Sequence, residues 1–565
     1  MKLFNYIKHR LNSQEYQFYI YLLVLIIPNI VLNVTEPLSC MAKLCNLLLP
    51  LACYSIIMSL SDNLGKMFWI LFPILFLGAF QLVLIYLFGH SIIAVDMFLN
   101  LATTNSGEAF ELLDNLLPAI VIVLIIYVPS LIMATLSILQ KKRLPARFVR
   151  QNRKRAGFIL LLGVLSLGIT AGIDTEYTLQ KELFPINVLS NVEIAIKRSA
   201  LTERYHETSA HYTFGARATH PSEQREVYIM VIGETSRADN WSLYGYERDT
   251  NPLLSKEANV TVFTHALSQS NTTHKSVPML LSEVDAHNYD SIYYRKSIIT
   301  AFKEAGFHTA FFSNQRYNHS FIDFFGQEAD TCLFIKETGN EQKNIFDEAL
   351  LPLVAEQLKN GCRKQLIVLH TYGSHFNYRE RYPASSAYFT PDYPAEAKPK
   401  YRNNLMNAYD NTIRYTDELL DKLIRLLRQE EVNAALLYTS DHGEDIFDDR
   451  RKLFLHASPI PSYYQIHVPF LLWMSDSYIQ SYPEVRRAAL QNKEKDVSSS
   501  SSFFHTLIQL GGIAVPSRND SLSVVSPLYT ERPPVYLDDH DQALPLNKTG
   551  MAEEDFVHLR LPVSY

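Results

Sequence analysis

Five stretches without Asp, Glu, Lys or Arg, at 16–35, 44–61, 67–95, 115–140 and 156–173, crowd the first third of this 565-residue chain. A helix needs roughly 20 apolar residues to cross a hydrocarbon core, and each stretch is about that long. Residues 1–173 are therefore predicted to be a transmembrane domain of five helices. Lack of charge alone is a weak criterion, because 453–475 is also charge-free. That run carries Pro459, Pro461, Pro469 and two histidines, which mark loop and strand rather than a span.

The charges give the spans a direction. Between the fourth and fifth stretches stand Lys141, Lys142, Arg143, Arg147, Arg150, Arg153, Lys154 and Arg155 with no acid among them. By the positive-inside rule this loop faces the cytoplasm, as does the N-terminus with Lys2, Lys8 and Arg10. Five crossings then put everything after about residue 174 outside. The first apolar run is long and followed by others, with no clear cleavage site, so it reads as a span and not a signal peptide. The whole-chain net charge of −6 is a sum over two solvents. Residues 1–173 hold 13 basic and 7 acidic side chains, net +6; the remaining 39 and 51 give −12. The basic loop has hydrophobic flanks, and no nucleic-acid partner is expected.

Residues 174–225 are mixed, with Phe184, Val188, Val192 and Ile196 at helical spacing, and suit an amphipathic connector near the membrane surface. Residues 226–565 then read as a soluble α/β domain. Val227–Ile232, Thr309–Phe312, Leu366–Leu369, Ala434–Tyr438 and Val468–Trp473 are short apolar runs that predict buried strands. Helical segments at 344–358 and 405–428 separate several of them, the pattern of a mostly parallel sheet covered on both faces. The serine run Ser498–Ser502 reads as a short loop.

Chemistry in such folds gathers where strands end. Three predicted strands run into polar residues able to bind metal or phosphate: Gly233, Glu234 and Thr235; His370, Thr371, Tyr372, Gly373, Ser374 and His375; and Thr439, Ser440, Asp441, His442, Gly443 and Glu444. Carboxylate and imidazole from separate strand ends suit one hard to borderline cation such as zinc.

The residues now carry a resemblance. The segment Val231–Pro252, with Ser276-Val277-Pro278, His370–His375, Tyr409-Asp410-Asn411-Thr412, Ser440–Glu444 and Leu453–His456 in the same order, resembles the bacterial phosphoethanolamine transferases of the alkaline phosphatase/sulfatase superfamily. These include the lipid A-modifying enzymes that cause polymyxin resistance. The five-span domain matches too, so the resemblance covers essentially the whole chain. It implies a multi-pass protein of the bacterial inner membrane with a periplasmic, sulfatase-like catalytic domain, acting as a monomer among membrane lipids. It further implies transfer of phosphoethanolamine from phosphatidylethanolamine to a lipopolysaccharide, on lipid A or a core sugar, or to another envelope glycan.

Carried over residue by residue, the resemblance makes Glu234, Thr273, Asp441 and His442 the ligands of a zinc ion, with Thr273 also the nucleophile. Thr272 is the register alternative. A threonine hydroxyl is a poor nucleophile near neutral pH, and metal coordination activates it. His375 and His456 correspond to histidines that contact the transferred phosphate or a second zinc, and either suits an acid toward the leaving alkoxide. The cofactor is thus one or two Zn2+ ions. The family's asparagine and lysine phosphate contacts fall near Gln315 and His319, a departure, since neither is a fixed cation; Arg316 is the neighbouring cation. Asn100, Thr104 and Glu108, four residues apart on a predicted helix, face one way and correspond to the triplet that holds the ammonium head of the donor lipid. His467 has no counterpart in the better-known members.

Cys40, Cys45 and Cys53 lie in or beside spans, leaving Cys332 and Cys362 outside, where a bridge between them is expected. Lipid A-modifying relatives carry cysteines beside the nucleophile where this chain has Gln269 and Met279, so it resembles the disulfide-poor branch. Phosphoglycerol transfer, or another phosphodiester chemistry of the superfamily, is the alternative. A sulfatase would need an arginine four residues after its formylglycine precursor; Ser276 precedes Pro278 by two, but Leu280 stands at the arginine position.

Overall fold

The computed structural model describes residues 13–88, 92–103, 106–174, 177–337, 344–394 and 396–559. Side chains at 87, 88, 100–103 and 106–115 lie outside this description, as do Lys2, Lys8 and Arg10. The chain divides into two units. One runs to Phe98 and resumes over Leu112–Ile196; the other holds Leu99–Glu111 and continues from Lys197.

In the first unit α1 (Gln14–Thr35), α2 (Cys40–Met58), the Leu116–Leu139 part of α5 (Ser106–Leu139) and α6 (Ala146–Ile173) are each long and apolar enough to cross a membrane. The third charge-free run does not form one straight helix. It is split into α3 (Leu64–Ile70) and α4 (Phe72–Phe88), bent by 57° at the junction. Pro73 explains the break, since it cannot donate to the carbonyl of Trp69. Counting the bent pair as one span gives five. Gly163 of α6 lies against Leu49 of α2; a Cβ there would stand 2.7 Å from a Leu49 methyl, so a larger residue would have to displace that side chain. Buried polar groups pair inside the bundle, with Asn152 donating to the hydroxyls of Ser55 (2.9 Å) and Ser59 (2.8 Å).

The connector contains α7 (Ile186–Glu203). Its buried face is Asn187, Val188, Asn191 and Ala195, while Ile196 is exposed and Phe184 precedes the helix, so the apolar spacing overstated the stripe.

The second unit is built on a seven-stranded sheet. Its strands are β1 (Glu226–Gly233), β2 (Val260–Val262), β3 (His308–Ser313), β4 (Thr331–Phe334), β5 (Lys364–His370), β6 (Asn433–Ser440) and β7 (Phe470–Met474), in the order β2-β7-β6-β1-β5-β3-β4. The ladders β6-β1, β1-β5, β5-β3 and β3-β4 are parallel; β7 runs antiparallel to both β6 and β2. Along β1 alternate residues serve opposite faces: Tyr228, Met230 and Ile232 join one core, Val227, Ile229 and Val231 the other. The first face is covered by α8 (Thr273–Leu280) and α11 (Ser499–Leu510), the second by α9 (Leu351–Leu358) and α10 (Arg402–Gln429).

Two expectations are corrected. The serine run is no loop: Ser498 ends a short strand and Ser499–Ser502 form the first turn of α11. Serine is tolerated in a first turn, and Phe503, Phe504, Leu507 and Ile508 anchor the helix in the core. Cys332 and Cys362 are both free thiols. Cys332 pairs in register with Phe311, and Phe311 with Val368, six residues along the strand direction from Cys362. At about 3.3 Å per residue that is on the order of 20 Å, far beyond the reach of a disulfide.

Candidate metal centre

The register brings the carboxyl ends of four neighbouring strands level. Ile232 pairs with His370 and Thr439, His370 with Ser313, and Gly233 with Ser440. The residues that follow these ends, Glu234, Asp441 with His442, and Gln315, are thereby set side by side. Gly373 lets the loop after β5 close over them: its φ is +50°, and a Cβ would stand 2.7 Å from the Glu234 carbonyl oxygen. Ser374 N–H then donates to that carbonyl (2.9 Å).

Glu234, Asp441 and His442 are all buried and present ligand atoms within 4.8 Å of one another. Thr273, the first residue of α8, lies between them, its Oγ1 donating to Glu234 Oε1 (3.0 Å) and standing 3.1 Å from His442 Nε2. His442 Nε2 is 3.3 Å from Asp441 Oδ2 and 3.6 Å from Glu234 Oε1. These separations match the edge of a tetrahedron, about 3.3 Å, around a cation bound at about 2.0 Å. Two further observations fit a metal. Asp441 Oδ2 is buried without a hydrogen-bond partner, while Oδ1 accepts from the backbone N–H of Thr235 (3.0 Å) and His442 (2.7 Å). His442 Nδ1 faces the Gly443 carbonyl at 2.9 Å, which fixes the proton there and leaves the Nε2 lone pair free. Burial disfavours a charged His442 imidazole, but Asp441 and Glu234 outweigh it and hold its pKa above the usual value. A dication relieves the repulsion of two buried carboxylates better than one imidazolium.

Thr272 takes the other role at this corner. It is the N-cap of α8, and its hydroxyl pairs with Ser270 (3.0 Å). Ser276 donates to the Thr272 carbonyl (2.8 Å), and Leu280 is buried in the core, so neither faces this cluster as a sulfatase pair would.

Two histidines flank the cluster. His375 Nδ1 bonds to the Phe376 carbonyl, and the ring stacks on Tyr372. His456 Nδ1 pairs with Glu444 Oε2 (3.0 Å), and its ring lies 4.2 Å from that of His442. Burial pushes both imidazoles down to about 3. Burial likewise pushes Glu444 up to about 8, although the Tyr378 hydroxyl donates to it. Gln315 Nε2 donates to Glu234 Oε2 (2.9 Å) and to the Thr371 carbonyl (3.1 Å), so it braces a ligand from outside the cluster. His319 is exposed and packs edge-on against Tyr317; among the described residues no contact joins it to the cluster. His467 bonds instead to Tyr463 (2.8 Å) and Asp239 (2.9 Å). Asn100, Thr104 and Glu108 lie outside the described side chains.

Sequence reasoning missed the supporting shell. Tyr409 on α10 donates its hydroxyl proton to the Thr235 carbonyl (2.8 Å) and accepts from Arg237 N–H (2.9 Å), holding the turn after Glu234. Tyr378, and the pairing of Glu444 with His456 that it supports, also lie outside that reading, although Glu444 and His456 both stand in motifs.

Comparisons with known proteins agree with this fold. The Sulfatase family matches residues 226–513. Phosphoethanolamine transferase EptA of Salmonella typhimurium is 33% identical over 300 residues, 52% of this chain and 54% of that protein. The chain spans about half the length of the curated relatives it matches. Among solved structures, the integral membrane protein lipooligosaccharide phosphoethanolamine transferase A from Neisseria meningitidis superposes with a TM-score of 0.71 at 21% identity, over 90% of this chain and 98% of that one. The C-terminal periplasmic domain of EptC from Escherichia coli, solved in complex with Zn, gives a TM-score of 0.54 at 24% identity over 59% of this chain and 95% of that one. At these identities they speak to the fold: the first to a helical membrane domain followed by a sulfatase-like α/β domain, the second to the α/β domain alone.

Proposed function

The chain belongs to the sulfatase family, and on that premise we propose that it is a zinc-dependent phosphotransferase of the bacterial envelope. It moves phosphoethanolamine from phosphatidylethanolamine to a lipopolysaccharide, on lipid A or a core sugar, through a phospho-Thr273 intermediate. Residues 1–173 are the inner-membrane domain, 174–225 the connector and 226–565 the periplasmic catalytic domain of a monomer. The observation that carries the reading is the position of Thr273 Oγ1, 3.0 Å from Glu234 and 3.1 Å from His442, beside the unpartnered Asp441 oxygen.

Glu234, Thr273, Asp441 and His442 would hold one zinc ion. When bound, zinc supplies Lewis acidity that acidifies a hydroxyl and offsets phosphate charge. The residues do the rest. Thr273 Oγ attacks the donor phosphorus, the bond to the diacylglycerol oxygen breaks, and the threonine proton passes through an imidazole to the departing alkoxide. In the second half an acceptor oxygen attacks phospho-Thr273, its proton returning by the same route to the freed hydroxyl. His375 and His456 are neutral as the site stands, with Nδ1 engaged, so Nε2 is the nitrogen that takes and returns the proton. The N-terminal end of α8 turns the positive end of its dipole to the phosphate on Thr273.

Mass spectrometry of lipid A and core oligosaccharide tests the reading in cells carrying the chain or its Thr273→Ala variant. Phosphoethanolamine substituents are expected with the parent chain and lost with the variant, a drop of about three orders of magnitude or more in turnover. Glycan profiles that stay the same in both strains would reject it. Replacing phosphatidylethanolamine by phosphatidylglycerol as donor should stop transfer by purified protein.

A further inference from the structure

At one end of the membrane unit, the turn between α2 and α3 and the start of α6 line an open pocket of about 600 Å³. Its walls carry three cations, Arg150, Arg153 and Lys154, and one acid, Asp62. Asp62 is already neutralised by Arg143, so the pocket presents net positive charge. Arg153 is fixed, with its guanidinium donating through Nε (3.1 Å) to the Ser59 carbonyl and through a second nitrogen to the same oxygen. Arg150 and Lys154 are exposed and have no ion-pair or hydrogen-bond partner among the described residues.

Depth identifies the occupant. The apolar part of α6 begins at Ala156. At about 1.5 Å per residue, Arg153 and Lys154 stand roughly 3–5 Å, and Arg150 about 9 Å, beyond that point along the helix. These cations bracket the headgroup layer that carries the lipid phosphates, about 5–8 Å thick on each side of the hydrocarbon core. A topological signal needs only cations anywhere in the loop; it does not need three of them converging on a walled pocket at phosphate depth.

We infer that this pocket binds the phosphodiester headgroup of an anionic phospholipid from the leaflet that faces the basic loop. Arg150 and Lys154 contact the phosphate from the open side, and Arg153, anchored on Ser59, does so from the wall. This lipid is separate from the donor of the reaction: it is negatively charged overall, and its site lies wholly within the membrane unit. The assignment does not depend on the chemistry proposed for Thr273.

Native mass spectrometry of the full chain, delipidated in detergent and titrated with dioleoylphosphatidylglycerol or dioleoylphosphatidylcholine, tests it. The parent chain is expected to retain phosphatidylglycerol preferentially, and Arg150→Gln/Lys154→Gln to lose that preference by on the order of tenfold. The control removes the same charge elsewhere: Lys141 and Arg155 do not line the pocket, so Lys141→Gln/Arg155→Gln is expected to retain the lipid as the parent does. Equal loss in the two double variants would mean a diffuse field and overturn the site. So would equal retention of the two lipids by the parent chain. Displacement of bound phosphatidylglycerol by millimolar inorganic phosphate would overturn the lipid as occupant.

Discussion

Gln315 shows how a single side chain can matter without touching the chemistry. Its amide holds Glu234 Oε2 at 2.9 Å, while Glu234 Oε1 is the atom turned to Thr273 and His442. Removing such a brace leaves the ligand free to turn, and Gln315→Ala is expected to weaken zinc binding by about 10–100-fold in a chelator competition. An unchanged affinity would make Gln315 a bystander. His505 gives a second prediction at this scale. Burial pushes its imidazole down from 6.5 to about 4 against the pull of Glu283 and Asp285, and its Nδ1 accepts from the Asn519 N–H (3.2 Å), which requires the neutral ring. A depressed folded pKa means that the contribution is fully present above pH 6.5 and is lost as pH falls from 6.5 towards 4, on the order of 3 kcal/mol. Denaturant titrations at pH 7 and 4.5 should find His505→Gln less acid-sensitive than the parent by that order. The same acid slope in both proteins would refute the assignment.

Elements were legible where one apolar run meets one face. All five expected strands form, because β1, β5 and β6 are buried on both sides and read as continuous apolar runs. Legibility failed where a partner outside the run decided. Nothing local to Ser499–Ser502 announces a helix; the phenylalanines and leucines after them do, once the core is there to receive them. The cysteines make the same point: oxidising surroundings and a count of two suggested a bridge, but strand register keeps them apart. Alkylation of the unreduced, denatured protein should therefore label both Cys332 and Cys362. Protection of both until a reductant is added would contradict the register. Cys332 itself is pushed up to about 11 by burial, so it should react slowly with alkylating reagents while the chain is folded.

For the whole molecule, the proposed metal donors come from elements far apart in sequence: Glu234 follows β1, Thr273 opens α8, and Asp441 and His442 follow β6. A metal bound by all of them stabilises the second unit as folded, by about 2.7 kcal/mol at a hundred times its dissociation constant. The first unit has its own core of membrane helices and contributes none of these donors. Chelation is therefore expected to lower the melting temperature of the second unit alone, with zinc restoring it; equal shifts in both transitions, or none, would count against the centre. The sequence by itself determined the solvent of each half, the strands, and the short polar motifs at their ends, because burial in lipid or between two layers of helices imposes a composition that a linear reading can detect. Only the tertiary structure decided which of those motifs meet. Ladder register levels the strand ends, a glycine at φ +50° closes the loop over Glu234, and Tyr409 and Gln315 reach in from elsewhere, and each of these is a distance between residues that no local pattern encodes.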